Sequence, residues 1–183
     1  KRQVKEIITL NEAGKEILLV SSGALALGKK SLNFKKNNLK VSEKQAASSV
    51  GQVLLINAWK KAFLKFKKQC GQILLTHLDA EIRSSAINAR NTIESLLKLN
   101  SIPIINENDS VATKELRYGD NDQLAARVAQ ITSSNLLIIL SDVDGLYTSN
   151  PKKNKDALLI KYIKKITKSI EKHAENTSSS IAV

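Results

Sequence analysis

The chain has 183 residues, room for one domain with a sizeable core. Hydrophobic residues make up 42% of it and charged residues 25%, near globular averages, which excludes global disorder, a collagen-like chain and a membrane bundle. The 29 Lys and Arg against 17 Asp and Glu leave a net charge of +12, a balance that suits anionic substrates or nucleic acid.

Helix-like and strand-like segments alternate along the chain. Val4, Ile7 and Ile8 recur at helical spacing, and Gly14 is placed to stop that helix. Residues 16–20 form a short apolar run, read as a buried strand. Ser21, Ser22 and Gly23 then make a tight turn into another helix. Residues 42–69 read as one long helix with a possible kink at Gly51. A second buried strand is predicted at 72–76, and a helix follows at 84–99 with Ile87, Thr92, Ile93, Leu96 and Leu97 on its apolar face. Residues 102–106 give a third strand, with Pro103 near its start, where proline is tolerated. A helix over 122–132 and a fourth strand over 135–140 complete the pattern. The lysine-rich stretch 151–172 reads as a solvated strand and helix that bury Leu158, Leu159, Ile160, Ile163 and Ile166. Strands alternating with helices argue an α/β fold with a mainly parallel sheet, and the lack of a linker or repeat argues one domain.

Several residue types limit the chemistry. The single cysteine, Cys70, excludes an intramolecular disulfide and reads as a small packing residue. His77 and His173 have no ligand-spaced partners, so no closed metal site and no Ser/His/Asp or Cys/His constellation is expected. No apolar run approaches the roughly 20 residues of a membrane helix. Lys1 to Leu10 is too charged for a signal peptide, so a reducing cytoplasm is the expected compartment. Methionine is absent, and the sequence reads as a piece of a longer protein or a gene that has lost its start. Trp59, Phe63 and Phe66 lie at helical spacing among lysines and read as a core face beside a wet face, in preference to a membrane or nucleic-acid helix. The lysines are spread over the whole chain, which favours solvated surface over a nucleic-acid footprint.

In an open α/β sheet, ligands bind beyond the carboxyl ends of the strands. Here those ends deliver Ser21, Ser22 and Gly23; Thr76 and Asp79; Asn106, Glu107, Asn108 and Asp109; and Ser141 and Asp142. The Ser22–Gly23 turn offers backbone N–H groups as an anion cradle, or is an ordinary capped turn. It is not a Walker A loop, since no Gly-Lys-Ser/Thr follows. Residues 106–109 suit an ammonium group or a metal-bound phosphate, or form a cap-rich loop. Gly119, Asp120, Asn121 and Asp122 look like a helix start, but one N-cap explains one Asp and not three polar residues. Residues 142–145 resemble the opening of a calcium loop and then lack its later oxygen donors.

Taken in order, residues 20–24, 45–47 with 51–52, 72–76, 88–92, 103–109, 119–122 and 141–147 resemble the amino acid kinase family. The Asn106-Glu-Asn-Asp109 and Gly119-Asp-Asn-Asp122 pair is its specific part, and points to the members that phosphorylate L-glutamate. The resemblance implies a three-layer αβα sandwich around a mostly parallel sheet, with residues 1–183 as a single amino acid kinase domain. It implies ATP and Mg²⁺ as cofactors and transfer of the γ-phosphoryl to the side-chain carboxylate of L-glutamate, the first step of proline biosynthesis. A carboxylate with pKa about 4.3 is ionised at pH 7 and needs no general base, in keeping with the lack of a candidate histidine. By resemblance, Ser22 lies near the substrate and transferring phosphate, while Asp109, Asp120 and Asn121 grip glutamate. Asp122 organises the catalytic lysines, and Ser141 and Asp142 lie against the nucleotide. Arg117 and Tyr118 belong to the loop over glutamate. Proline as a feedback inhibitor and a homo-oligomer are further implications; nucleic-acid and membrane partners are not.

The family pattern also has a lysine-bearing opening strand and a later Gly-Thr-Gly-Gly-Met-x-Thr-Lys segment, neither of which is found in the 183 residues. The chain is therefore expected to be incomplete at both ends, to lack the first strand, the C-terminal part and any RNA-binding domain, and to be weakly active or inactive alone. Rival readings are a sister kinase acting on aspartate, acetylglutamate, carbamate or a nucleoside monophosphate, a non-catalytic remnant, and a basic nucleic-acid-binding domain. The carboxylates of the 119–122 loop argue against the sister kinases, and no RNP, KH or zinc pattern supports the last.

Overall fold

A computed structural model describes residues 2–35, 38–111, 121–141 and 144–175. It divides into two compact units, residues 1–137 and 138–183. In the first, α1 (Arg2–Glu12) leads to β1 (Leu19–Val20), then α2 (Ala24–Ser31) and α3 (Val41–Leu64). Next come β2 (Gln69–Leu75), α4 (His77–Glu81), α5 (Arg83–Lys98), β3 (Ser101–Glu107) and α6 (Asn121–Ile131). The three strands form one parallel sheet in the order β1-β3-β2. The central strand β3 pairs Ile104 with Leu19 on one side and with Gln72 on the other.

Period-two alternation along β3 divides the core into two layers. Ile102 and Ile104 face Val4, Ile8 and Phe63, contributed by α1 and α3. Ile105 faces Ala89, Ile93, Leu124 and Val128, contributed by α5 and α6, with Leu75 of β2. Helices therefore cover both faces of the parallel sheet, and β3 reads as a nearly unbroken buried run because neither face is wet.

Three boundaries moved for local reasons. The helix expected over 42–69 stops at Leu64, because Lys67 turns the chain with a left-handed φ of 55°. β2 then starts at Gln69, three residues earlier than its apolar run. The strand expected over 16–20 pairs only at Leu19–Val20, since among the described residues it has a neighbour on one side. Helix α4 had not been expected; Thr76 and Asp79 cap it, Thr76 Oγ1 accepting from Asp79 N at 3.1 Å while Thr76 N donates to Asp79 Oδ2 at 2.8 Å.

The fourth expected strand is not formed. Residues 136–140 follow no ladder, and Leu136, Ile138 and Leu140 are 75%, 66% and 74% exposed. An apolar run becomes a buried strand only when neighbours supply ladder hydrogen bonds and helices cover its faces, and among the described residues this run has neither. The second unit holds α7 (Lys168–Glu175) and an antiparallel bridge between Tyr147 and Leu159. Leu158, Ile163 and Ile166, expected to be buried, are exposed.

Helices α2 and α3 cross at backbone contact. A Cβ on Gly28 would lie 1.7 Å from the Ala47 carbonyl oxygen, and one on Gly51 would lie 1.7 Å from that of Ala24. Both positions must lack a side chain for the helices to meet. That contact fixes where α2 begins, and α2 begins at the site.

Candidate active site

The carboxyl ends of β1, β3 and β2 share one edge of the sheet. Ser21 N donates to Ile105 O at 2.9 Å, extending the β1–β3 ladder by one bond. The chain then turns through Ser22 and Gly23 into α2. Gly23 has φ 105°, a left-handed conformation that disfavours any side chain, and a Cβ there would meet nothing within 4 Å. Ser22 is exposed, and no side chain caps the first N–H groups of α2.

The first residue of α6 ties two strand ends together. Asn121 Nδ2 donates to Ser21 O and to Asn106 Oδ1, each at 3.1 Å. Asp122 follows in the first turn of α6, where a negative charge favours the helix dipole, and is exposed. Asp109 is part-buried just past the end of β3, in a turn whose Asn108 N donates to Leu75 O at 2.9 Å. The edge thus gathers Ser22, Asp109, Asn121 and Asp122. Ser141 is exposed and belongs to the second unit; Arg117, Tyr118, Asp120 and Asp142 lie outside the described residues.

Two carboxyls at this edge titrate high. Burial pushes Asp109 up, and the Ser48 hydroxyl partly offsets this. Ser48 Oγ is buried and close enough to favour the charged carboxylate, short of a well-formed hydrogen bond. Glu107 is pushed up by burial and by the neighbouring Asp109 charge, with His77 acting in the opposite direction. Among the described residues, no three His, Cys, Asp or Glu side chains gather into a metal site.

Sequence reasoning expected the helix behind this edge and counted residues 51–52 in the family resemblance, but gave Ser48 and Gln52 no role. In the fold, Ser48 and Gln52 of α3 are 0% and 8% exposed. Their spacing, one turn apart beside the small residues Ala47 and Gly51, was the available signal. Trp59, predicted as core, stacks on buried Phe63 with ring centroids 5.9 Å apart and also donates from Nε1 to Ser21 Oγ at 2.9 Å. Phe66, predicted with them, is exposed.

A parallel sheet with helices on both faces defines an open α/β domain, and in such sheets ligands bind beyond the carboxyl ends of the strands, the edge where these polar groups lie. The chain belongs to the amino acid kinase family, whose model matches residues 1–179 and so spans both units. It is 52% identical to a glutamate 5-kinase of Pelagibacter ubique over 175 residues, 96% of this chain and 48% of that protein. It is 50% identical over 178 residues to glutamate 5-kinases of Brucella ovis and Brucella canis, 97% of this chain and 47% of each. The chain therefore spans about half the length of the curated relatives it matches. No helix among the described residues is long and apolar enough to cross a membrane.

Proposed function

We propose that this chain forms the substrate-binding part of a kinase that transfers the γ-phosphoryl of ATP to the side-chain carboxylate of L-glutamate, opening proline biosynthesis. The observation that carries the reading is Asn121 tying two strand ends together through Ser21 and Asn106, with Asp109 just past the end of β3, in a chain half identical to glutamate 5-kinases. A carboxylate oxygen of glutamate attacks the γ-phosphorus, the bond to the ADP oxygen breaks, and γ-glutamyl phosphate and ADP leave. The nucleophile arrives ionised, so the protein's work is to position two anions and offset their charge. Asp109, Asp120 and Asn121 grip glutamate, the carboxylates meeting its ammonium. Ser22 and the open N–H groups at the start of α2 face the transferring phosphate, Asp122 organises lysines, and Ser141 and Asp142 serve the nucleotide. Bound with the nucleotide, Mg²⁺ would supply charge neutralisation at its phosphates. Cytoplasmic location, homo-oligomerisation and feedback inhibition by proline belong to the same reading.

The test is glutamate-dependent ADP release, with hydroxylamine trapping of the acyl phosphate, by the full-length protein that carries this sequence. Turnover with glutamate and little with aspartate or N-acetylglutamate is expected. ADP release indifferent to glutamate, or equal with aspartate, would refute the proposal.

A further inference from the structure

Gln52 sits in the middle of α3, 8% exposed, with both ends of its amide matched. Its Nε2 donates to the Glu107 backbone carbonyl at 3.1 Å, and its Oε1 accepts from Gln72 Nε2 at 3.3 Å. The Glu107 carbonyl is a particular one. Ile105 O takes the Ser21 N–H, and strand alternation presents the Glu107 carbonyl to the same side two residues on. There β1 has already turned away at Gly23, so the ladder supplies no further donor from it. The Gln52 amide stands in for the missing strand bond.

We propose that Gln52 is a positioning residue that holds the end of β3, and through it places Asp109 for the substrate ammonium. The inference rests on the function proposed above. The segment after Ile105 is held residue by residue. Asn121 holds the Asn106 side chain, Gln52 holds the Glu107 carbonyl, and Asn108 N is bonded to Leu75 O. Ser48, one turn before Gln52 on the same face of α3, is fully buried. The same helix carries Gly51, against the Ala24 carbonyl at the first residue of α2. One rigid helix therefore sets the position of the carboxylate turn relative to the α2 N–H groups. An error of about 1 Å between reacting partners can cost roughly a hundredfold in rate.

The experiment measures the KM of glutamate, the KM of ATP and the thermal midpoint for the full-length protein and for Gln52→Met, Gln52→Glu and Gln72→Met. Gln52→Met keeps the length and shape but loses the donor, and is expected to raise the glutamate KM about tenfold while leaving the ATP KM in place. Gln52→Glu turns an oxygen on the carbonyl and is expected to do at least as much. Gln72→Met removes only the buttress and should raise the glutamate KM about two- to threefold. A purely structural glutamine would lower the thermal midpoint and the active fraction with both KM values unchanged. An unchanged glutamate KM in Gln52→Met overturns the inference; should that variant not fold, the same result in Gln72→Met does so. If the unaltered protein shows no glutamate-dependent turnover, the proposed function fails first, before any variant is compared, and the inference falls with it.

Discussion

Substituting alanine for Gly51 or Gly28 sets two effects against each other, and the geometry decides the sign. In an exposed helix, Gly→Ala stabilises by about 1 kcal/mol, because alanine has the better helix propensity. Here the new methyl of Gly51→Ala would lie 1.7 Å from the Ala24 carbonyl oxygen and 2.8 Å from Gly28 N. Both obstacles are backbone, so no side chain can swing away. Ordinary carbon–oxygen contact is about 3.3 Å or more, so α2 and α3 must separate by roughly 1.5 Å. Ala24, Ala47 and Ser48, 2%, 0% and 0% exposed, would lose their packing along this crossing. Overpacking of this kind typically costs about 1–3 kcal/mol and occasionally more. A 1.7 Å approach to backbone belongs at the upper end of that range, about 3 kcal/mol, so with the propensity gain of about 1 kcal/mol a net loss of about 2 kcal/mol is expected for either variant. Urea denaturation of the protein measures it, with Ser49→Ala on the exposed side of α3 as a control for propensity. Because α2 begins at the Ser22–Gly23 turn, turnover should fall as well. A Gly51→Ala protein as stable as the unaltered one, with Ser49→Ala behaving normally, would refute the close crossing and the placement of the site that depends on it.

Asp109→Asn is expected to stabilise the fold at neutral pH while lowering kcat/KM for glutamate roughly 10- to 100-fold, measured by denaturation and by coupled assay. The sign follows from titration: Asp109 and Glu107 lie above their ordinary values of 3.8 and 4.5. Their contribution is fully present below those values and is lost as pH rises through the raised folded-state pKa values. Stability should therefore fall with rising pH over that window, less steeply in Asp109→Asn. Gly23→Ala meets no steric obstacle but must hold φ near 105°; a loss of about 1–3 kcal/mol is expected by denaturation, with a weakened ATP KM from distortion of the α2 N–H groups. Thr76→Ala removes the acceptor for Asp79 N and should cost about 1 kcal/mol in the same assay, with both substrate KM values unchanged.

What could be read from the sequence was what short-range physics writes there. Helix α5 was expected over 84–99 and runs Arg83–Lys98; of its expected apolar face Ile93 is buried and Leu96 and Leu97 are half-buried, whereas Ile87 and Thr92 are exposed and Ala89, not expected there, is buried. β3 was expected over 102–106 and runs Ser101–Glu107, its apolar stretch being a strand enclosed on both faces. The end of α3 was hidden because Lys65, Lys67 and Lys68 are good helix formers and the left-handed stop at Lys67 carries no glycine. The run 136–140 has the composition of β3 and none of its surroundings, and composition cannot distinguish the two. The site divides along the same line. Ser22, Asp109, Asn121 and Asp122 announce themselves by standing just past apolar runs or at a helix start, where polar residues are more than a turn needs. Ser48 and Gln52 act from the middle of a helix, across 55 residues of chain in the case of Gln52 and Glu107. Their importance depends on which way one face of α3 points once Gly28 and Gly51 have let α2 close against it, and that orientation arises only in the packed fold. The groups proposed to meet a substrate are written locally, at the ends of elements. The partners of Ser48 and Gln52 are written in the packing, so a motif can contain Gln52 without saying what it holds.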